Sequence, residues 1–434
     1  MLFLGSTIRK LFFLLLLFFG LNGFAQVVDG NDNSPYTQIG IGDLAPIGFS
    51  RNLGMANTGV SMSSKYYINN LNPALLSDIK LTLFEFGLQF RIRNLTSESS
   101  SQRSFGGSFE YVSLAFPISK KMAISAGFKP FSNIRYSTSS VSKIQGDTLN
   151  YAIANNAQGS ISQVFLASGY EISPNWSVGV SAGFLFGKIA EESSINSGIP
   201  VLSGYSFSNT KVVTFKNTII NGYNLQGGLL YRRQVIAESI RLNVGFTGSY
   251  AATFNSNTSV YLQKRTVNSN SDNTILRDTL PGYNNPISLP STFTLGTSLN
   301  KGDEWSFGTD FTIQTFTNQT FRNNGSLQNA FNWSIGGEFN PVYLKRKSYF
   351  TRMVYRAGAY AGRTQYVING KPISDAGITL GVGVPLGKLF SYLNINCQIG
   401  SRGTLDGGLI REDYYKFSLG LNINDRWFLR PKVD

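Results

Sequence analysis

The chain has 434 residues, a formal charge of +14, no histidine and one cysteine, Cys397. Lack of histidine excludes Ser-His-Asp and Cys-His catalysis and histidine-ligated zinc or haem, and one cysteine forms neither an intramolecular disulfide nor a thiolate cluster. Charged residues make up 14 %, aromatic residues 13 %, and there are 45 glycines; soluble domains carry about a quarter charged residues, whereas strands between lipid and a polar lumen need few.

The chain opens with "MLFLGSTIRKLFFLLLLFFGLNGFAQ", in which Arg9 and Lys10 precede an apolar run from Leu11 to Phe19 and then small residues at Gly23 and Ala25. That order predicts a secretory signal peptide, residues 1–25, cleaved after Ala25. The apolar run is too short for a bilayer span, and no cysteine follows the cleavage point to carry a lipid anchor. Export makes nucleic acid an unsuitable partner for the basic chain, so the excess charge reads as attraction to anionic lipopolysaccharide or the membrane surface.

Residues 26–80 do not read as membrane strands. "SPYTQIGIGDLAPIGFSRNLGMANTGVSMSSKYYINNLNPALLSD" mixes turns, glycines and short apolar pieces, with Pro35, Pro46 and Pro73 as breakers. Such a segment is either a disordered lead or a folded plug seated inside the remainder of the chain.

From residue 81 the period changes to two. In "YYKFSLGLNIN" the apolar set Tyr415, Phe417, Leu419, Leu421 and Ile423 alternates with Lys416, Ser418, Gly420, Asn422 and Asn424. Successive strand side chains point to opposite faces, so each such stretch has one apolar and one polar or small face. About fourteen stretches of this kind begin near Leu81, Gly107, Met122, Gln158, Trp176, Val212, Ser239, Ser291, Glu304, Leu327, Arg352, Ser374, Leu389 and Asp413. Most reach the roughly 9–11 residues of a transmembrane strand. Long polar connections (Ser137–Ala157, Ala190–Lys211, Asn255–Pro290) alternate with short turns, the loop asymmetry of outer-membrane barrels. The rhythm weakens in the second half, with a fairly long inner turn "NPVYLKRKS" and a short outer loop "VINGKP". An all-β fold is expected, a fourteen-stranded antiparallel transmembrane barrel over residues 81–434. An even strand number closes the sheet and leaves no edge unpaired in lipid. Trp427-Phe428 near the end suits an interfacial aromatic girdle.

Within the third stretch, "MAISAGFKPFSNIRY", stands Pro130. Proline removes a ladder hydrogen bond, so its place in a closed wall predicts a bulge or a gap. The carboxylate pairs Glu191-Glu192 and Glu412-Asp413 fall in predicted loops, where a solvated role outweighs acid–base work. No phosphate-binding glycine spacing, metal site or cofactor site is legible, and enzymatic function is disfavoured.

The segment "SRNLGMANTGVSMSSKYYINNLNPALLSD" resembles the N-terminal hatch signature of the FadL-type outer-membrane long-chain fatty-acid and hydrocarbon transporters. The matching residues are Arg51, Gly54, Gly59, Val60, Asn72, Pro73 and Ala74. Over the rest of the chain the resemblance extends only to length, strand count and loop rhythm. It implies an N-terminal plug over residues 26–80 that closes a fourteen-stranded barrel, and it gives Pro130 the meaning of a lateral exit in the third strand. Asn72-Pro73-Ala74 would then act as a rigid hinge or latch, since a residue before proline is held extended and an asparagine amide bonds nearby backbone. The implied function is diffusional passage of hydrophobic small molecules, fatty acids or hydrocarbons, across the outer membrane. The same barrel type is also similar to accessory subunits of larger outer-membrane machines, for secretion or barrel assembly. Polar loops such as Asn255–Pro290 with Lys264-Arg265 would there be contact surfaces for other outer-membrane proteins.

Overall fold

The computed structural model describes residues 32–143, 150–201, 204–207, 210–236, 240–250, 253–267, 272–284, 287–316, 326–341, 348–387 and 391–425. The signal peptide at residues 1–25 and Trp427-Phe428 lie outside these residues, as does most of the inner turn "NPVYLKRKS". Fourteen strands form one closed antiparallel sheet. They are β1 (Thr82–Thr96), β2 (Ser101–Pro117), β3 (Met122–Lys143), β4 (Asn150–Ser173), β5 (Trp176–Val201), β6 (Thr210–Ile236) and β7 (Ile240–Ser249). Next come β8 (Ser291–Lys301), β9 (Trp305–Thr315), β10 (Ala330–Phe339), β11 (Val354–Ile368), β12 (Lys371–Leu386), β13 (Ser391–Arg402) and β14 (Arg411–Asp425). The ring closes where β1 pairs with β14, from Thr82↔Asp425 to Thr96↔Arg411.

The alternation of the sequence becomes an inverted interior. On β8, Phe293, Leu295 and Leu299 face outward and are exposed, while Thr294, Ser298 and Asn300 are buried inside. On β14, Tyr415, Phe417 and Leu419 face out, whereas Ser418, Asn422 and Asn424 are buried. Aromatic contacts tie the outer wall together across strands, with Phe86–Phe109 at 5.8 Å, Phe109–Phe128 at 5.6 Å and Phe184–Tyr223 at 5.2 Å between centroids. The short outer loop of "VINGKP" is a two-residue turn at Asn369-Gly370, both with positive φ, the geometry that matches strand twist in hairpins.

The wall is of uneven height, and three stretches expected to be loops prove to be largely strand. The strands β5 and β6 have 26 and 27 residues, whereas β7 and β10 have 10 each. At ~3.3 Å per residue β5 runs roughly 85 Å along its axis, far beyond an apolar band about 25 Å tall. Much of Ser137–Ala157 and Ala190–Lys211 is therefore strand, not loop. Asn255–Pro290 holds a hairpin of two strands, Thr253–Val267 and Asp272–Asn284, the first paired to the upper part of β6. Glu191-Glu192 lies within β5, and Glu192 pairs with Arg265 of the hairpin at 2.8 Å. Above the lipid both faces are wet, so the polar–apolar alternation fades while the backbone ladder continues.

The segment from Asp32 to Lys80 has little regular structure: a strand pair at Asp43–Leu44, a helical turn at Ser50–Leu53 and 3₁₀ turns at Pro35–Gln38 and Pro73–Asp78. Its residues bond to inward-facing side chains on strands all round the ring, including β1, β6, β7, β9, β10 and β11 to β14. Small wall residues allow this approach. A Cβ at Gly179 of β5 would come within 2.3 Å of the Ala74 nitrogen and the Pro73 carbonyl carbon. Gly179→Val is therefore expected to push the Pro73–Asp78 turn off the wall while the ladders persist. Tryptic cleavage at Arg51 and Lys65 should rise, with the barrel's heat-modifiable electrophoretic mobility retained.

Candidate functional site

The resemblance-bearing residues come together at the base of the lumen. Arg51 is buried on the helical turn Ser50–Leu53, and its Nε donates to both oxygens of Glu338 on β10 at 3.1 Å. Its Nη1 donates to the Met62 carbonyl at 3.0 Å. Arg356 of β11 donates to the same carboxylate at 3.1 Å and to Asn394 at 2.8 Å. Both guanidiniums lie over the Tyr67 ring, at 5.9 and 5.1 Å. One half-buried carboxylate thus binds the leading segment to the wall between two buried cations, an arrangement whose hydrogen bonds offset the cost of dehydrating the charges.

Gly54 caps the turn and packs against Asn396 and Arg356. Gly59 has φ +151, a region side chains rarely enter, and its N–H and that of Val60 donate to Asp310 of β9 at 2.7 and 2.9 Å. Ala56 and Asn57 are left-handed as well; the Ala56 N–H donates to Thr379 at 2.8 Å, which holds a backbone conformation that alanine disfavours. Asn72 is extended before Pro73 and caps the 3₁₀ turn: its Oδ1 accepts from the Ala74 N–H at 3.0 Å. Its Nδ2 donates to the carbonyls of Val60 and of Leu229 on β6, at 2.8 and 3.0 Å. Asp78, at the end of the turn, pairs with Arg232 at 2.8 Å.

Pro130 stands apart from this base, at an interruption of the wall. The β2–β3 ladder runs only from Pro117↔Ala123 to Val112↔Phe128. Beyond Phe128, β3 keeps its pairing with β4, with a register shift between Pro130 and Ser132, while no further β2–β3 pair forms among the described residues. The freed edge of β3 is taken by the leading segment, with Asp43↔Asn133 and Leu44↔Ser132 paired. Ala45 N–H also donates to the Phe131 carbonyl, and Ser34 N–H to that of Arg135, each at 2.9 Å. Ion pairs clamp this part from the other side. Arg402 of β13 donates to Asp43 at 2.7 Å and to Glu412 of β14 at 2.9 Å, and Arg91 pairs with Asp32 at 3.1 Å.

Glu412 is thus no loop residue: it lies in β14, fully buried, and with Asp413 belongs to the strand. Its burial needs a counter-charge, which Arg402 supplies. The sequence reading also missed Asp310, Glu338, Arg356 and Arg402. Their signal was available, since each stands in the polar phase of an alternating strand, where a charge faces inward. A cavity of about 1240 Å³ occupies the lumen above the base. It reaches the interruption beside Pro130, where Phe105, Phe109, Phe128 and Phe131 line it.

Glu338→Ala would leave Arg51 and Arg356 as buried charges without their counter-ion. A loss of about 3–5 kcal/mol is expected, read as a lower denaturant midpoint in detergent micelles. The Asp43 clamp should resist acid. Burial disfavours the Asp43 carboxylate, but Arg402, its hydrogen bonds, and then Arg93 and Arg91 outweigh burial and hold the group well below the usual range. With a folded value below the unfolded ~3.9, the contribution is complete above that pH and is lost only as pH falls through the folded value. Pepsin cleavage of the leading segment should therefore be the same at pH 5 and pH 4 per unit enzyme activity, and rise only in stronger acid.

Solved structures of similar shape include monoaromatic hydrocarbon channels, toluene transporters and a FadL homologue. A Pseudomonas aeruginosa FadL homologue superposes with a TM-score of 0.56 at 11 % identity, covering 88 % of this chain and 99 % of its own. The CymD monoaromatic hydrocarbon channel gives 0.54 at 12 % identity, covering 88 % and 98 %. The Pseudomonas putida toluene transporter TodX gives 0.52 at 13 % identity, covering 89 % and 100 %. At these identities the likeness establishes the fold, a FadL-type barrel. No curated protein matches the chain. The family model BamG matches residues 7–434, nearly the whole length: the chain belongs to the BamG family.

Proposed function

We propose that this chain is an outer-membrane barrel that passes hydrophobic small molecules sideways through its wall, with residues 26–80 acting as the hatch. The observation that carries this reading is the end of the β2–β3 ladder at Phe128, beside a cavity that four phenylalanines line. Backbone without ladder partners is tolerated at membrane depth only where it borders protein or a cavity, and an aromatic-lined cleft suits an apolar solute. In this scheme Arg51, Gly54, Gly59 and Asn72-Pro73-Ala74 form the fixed base of the hatch. The Asp32–Ala45 part, held on the β3 edge and by Arg402, is the piece that moves. A solute entering from outside then leaves beside Pro130 into the bilayer. Movement is diffusional and uses no nucleotide, cofactor or metal. The chain would meet lipid along its apolar belt and lipopolysaccharide around its basic upper rim. The structural relatives, channels for monoaromatic hydrocarbons and toluene by name, agree with such a solute class.

A second reading makes the chain an accessory subunit of a larger outer-membrane complex. The BamG family match favours it, because that name points to such a complex. The tall sheet of β4, β5, β6 and the Thr253–Asn284 hairpin would be its contact surface.

The test uses Cys397→Ser barrels in liposomes, carrying Ser108→Cys on β2 and Asn133→Cys on β3, both at exposed positions that line the cavity, bridged by a bifunctional maleimide. Uptake of a neutral fluorescent hydrocarbon should exceed that of empty liposomes and should stop on bridging. Uptake equal to empty liposomes would remove the transport reading. A stoichiometric protein partner surviving mild detergent extraction, with no uptake, would establish the second.

A further inference from the structure

From Phe131 to Arg135 the open edge of β3 is served by the leading segment. The Phe131 carbonyl accepts from the Ala45 N–H, Ser132 and Asn133 pair with Leu44 and Asp43, and the Arg135 carbonyl accepts from the Ser34 N–H. Thr37 Oγ1 accepts from the Arg135 N–H at 3.3 Å. On its other side the same segment lies against β2, where a Cβ at Gly106 would come within 2.6 Å of the Asp32 Cβ. The segment from Asp32 to Leu44 thus stands between two strands that are neighbours lower down. Among the described residues, no backbone group bonds to the edge of β2 that faces β3 from Ser104 to Ser108.

The parted strands nevertheless stay in phase. Each carries one extra residue just past their last shared pair, Glu110 on β2 and Phe131 on β3. One such bulge turns the following side chains to the opposite face, and two at the same level cancel. Counting on from Val112↔Phe128 therefore sets Ser108 opposite Ser132 and Gly106 opposite Ile134. The faces agree: Ser104 and Gly106 are buried, as are Ser132, Ile134 and Tyr136, while Phe105 and Asn133 are exposed. We propose that the wall has a second, closed state, in which Ser104–Ser108 pair with Ser132–Tyr136 and the leading segment has left the edge. The segment is then a doorstop that holds the wall apart above Phe128, and its departure shuts the opening. A strand edge without partners is costly at membrane depth, so β3 exchanges one partner for the other. The closed state rests on the transport reading and sets its limit. The Asp32–Ala45 part yields to a solute without leaving β3, because leaving would close the exit. Arg402, Arg91 and Arg93, which pair with Asp43 and Asp32, hold the doorstop in place.

The experiment lets one thiol choose between two partners. Full-length Cys397→Ser barrels in a neutral detergent carry Leu44→Cys, Ser108→Cys and Ser132→Cys. Residues opposite each other on antiparallel strands have Cα atoms about 4.5–5.5 Å apart, within disulfide reach. After mild oxidation, mass spectrometry of tryptic peptides gives the ratio of the 44–132 bridge to the 108–132 bridge. In this parent the 44–132 bridge should prevail about tenfold. Ala45→Pro removes the N–H that bonds the Phe131 carbonyl, and Arg402→Met removes the clamp on Asp43. Each should raise the share of the 108–132 bridge about fivefold. A parent in which the 108–132 bridge prevails overturns the proposal, because the segment then holds nothing apart. An unchanged share in both variants, with folded electrophoretic mobility retained, overturns it as well. If Arg402→Met does not fold, Ala45→Pro decides alone. No solute enters this assay, so the closed state can fail while lateral passage stands, and lateral passage can fail while the closed state stands.

Discussion

Everything inside this barrel depends on the need to hydrogen-bond the backbone of a segment that has almost no secondary structure. A helix or a sheet satisfies its own N–H and C=O groups; the stretch from Asp32 to Lys80 cannot. Its partners are side chains on the inward phase of the strands: Asp310 for Gly59 and Val60, Thr379 for Ala56, Asn396 for Ser50, Asn243 for Ser61. Hence the lumen must be polar where the segment lies, and the outside must be apolar because lipid lies there. The period of two is the form in which one strand meets both demands. The charges at the base extend the same logic, since Glu338 is tolerable only between Arg51 and Arg356.

Closure of the ring sets the second condition. Pairing of β1 with β14 over fifteen residues leaves no free edge at the seam. Against that background the short β2–β3 ladder is informative, because a closed sheet has no geometric need to give up pairs. Proline accounts for part of it: Pro130 has no N–H to give, and the register shift comes at once. The rest is substitution. The β3 edge that β2 abandons is occupied by Asp43–Leu44, so one strand pair is exchanged for another within the same chain.

The strand count and most strand starts were legible from the sequence, because alternation over ten or so residues is a strong local signal. Met122, Trp176 and Ser291 begin strands at the positions expected of them. The ends on the outer side were not legible. Above the bilayer no lipid enforces an apolar phase, so Ala190–Lys211 reads as loop although much of it is strand. The interior was legible only in part. Asn72-Pro73 carries its own conformational signature, but the partners of Arg51 lie almost three hundred residues downstream in Glu338. Glu412 beside Asp413 looks solvated in one dimension and becomes a buried ion pair only when β13 and β14 stand together.

The difference in strand length gives the mouth a sloping profile. On one side β4, β5, β6 and the appended hairpin stand as a parapet; on the other, β11 turns into β12 at Asn369-Gly370 and β13 passes to β14 through the short stretch 403–410. Bulky sugar chains of neighbouring lipids would be held back along the parapet and would crowd the low sill opposite. Any large body that settles on this barrel from the outer side therefore meets the parapet first.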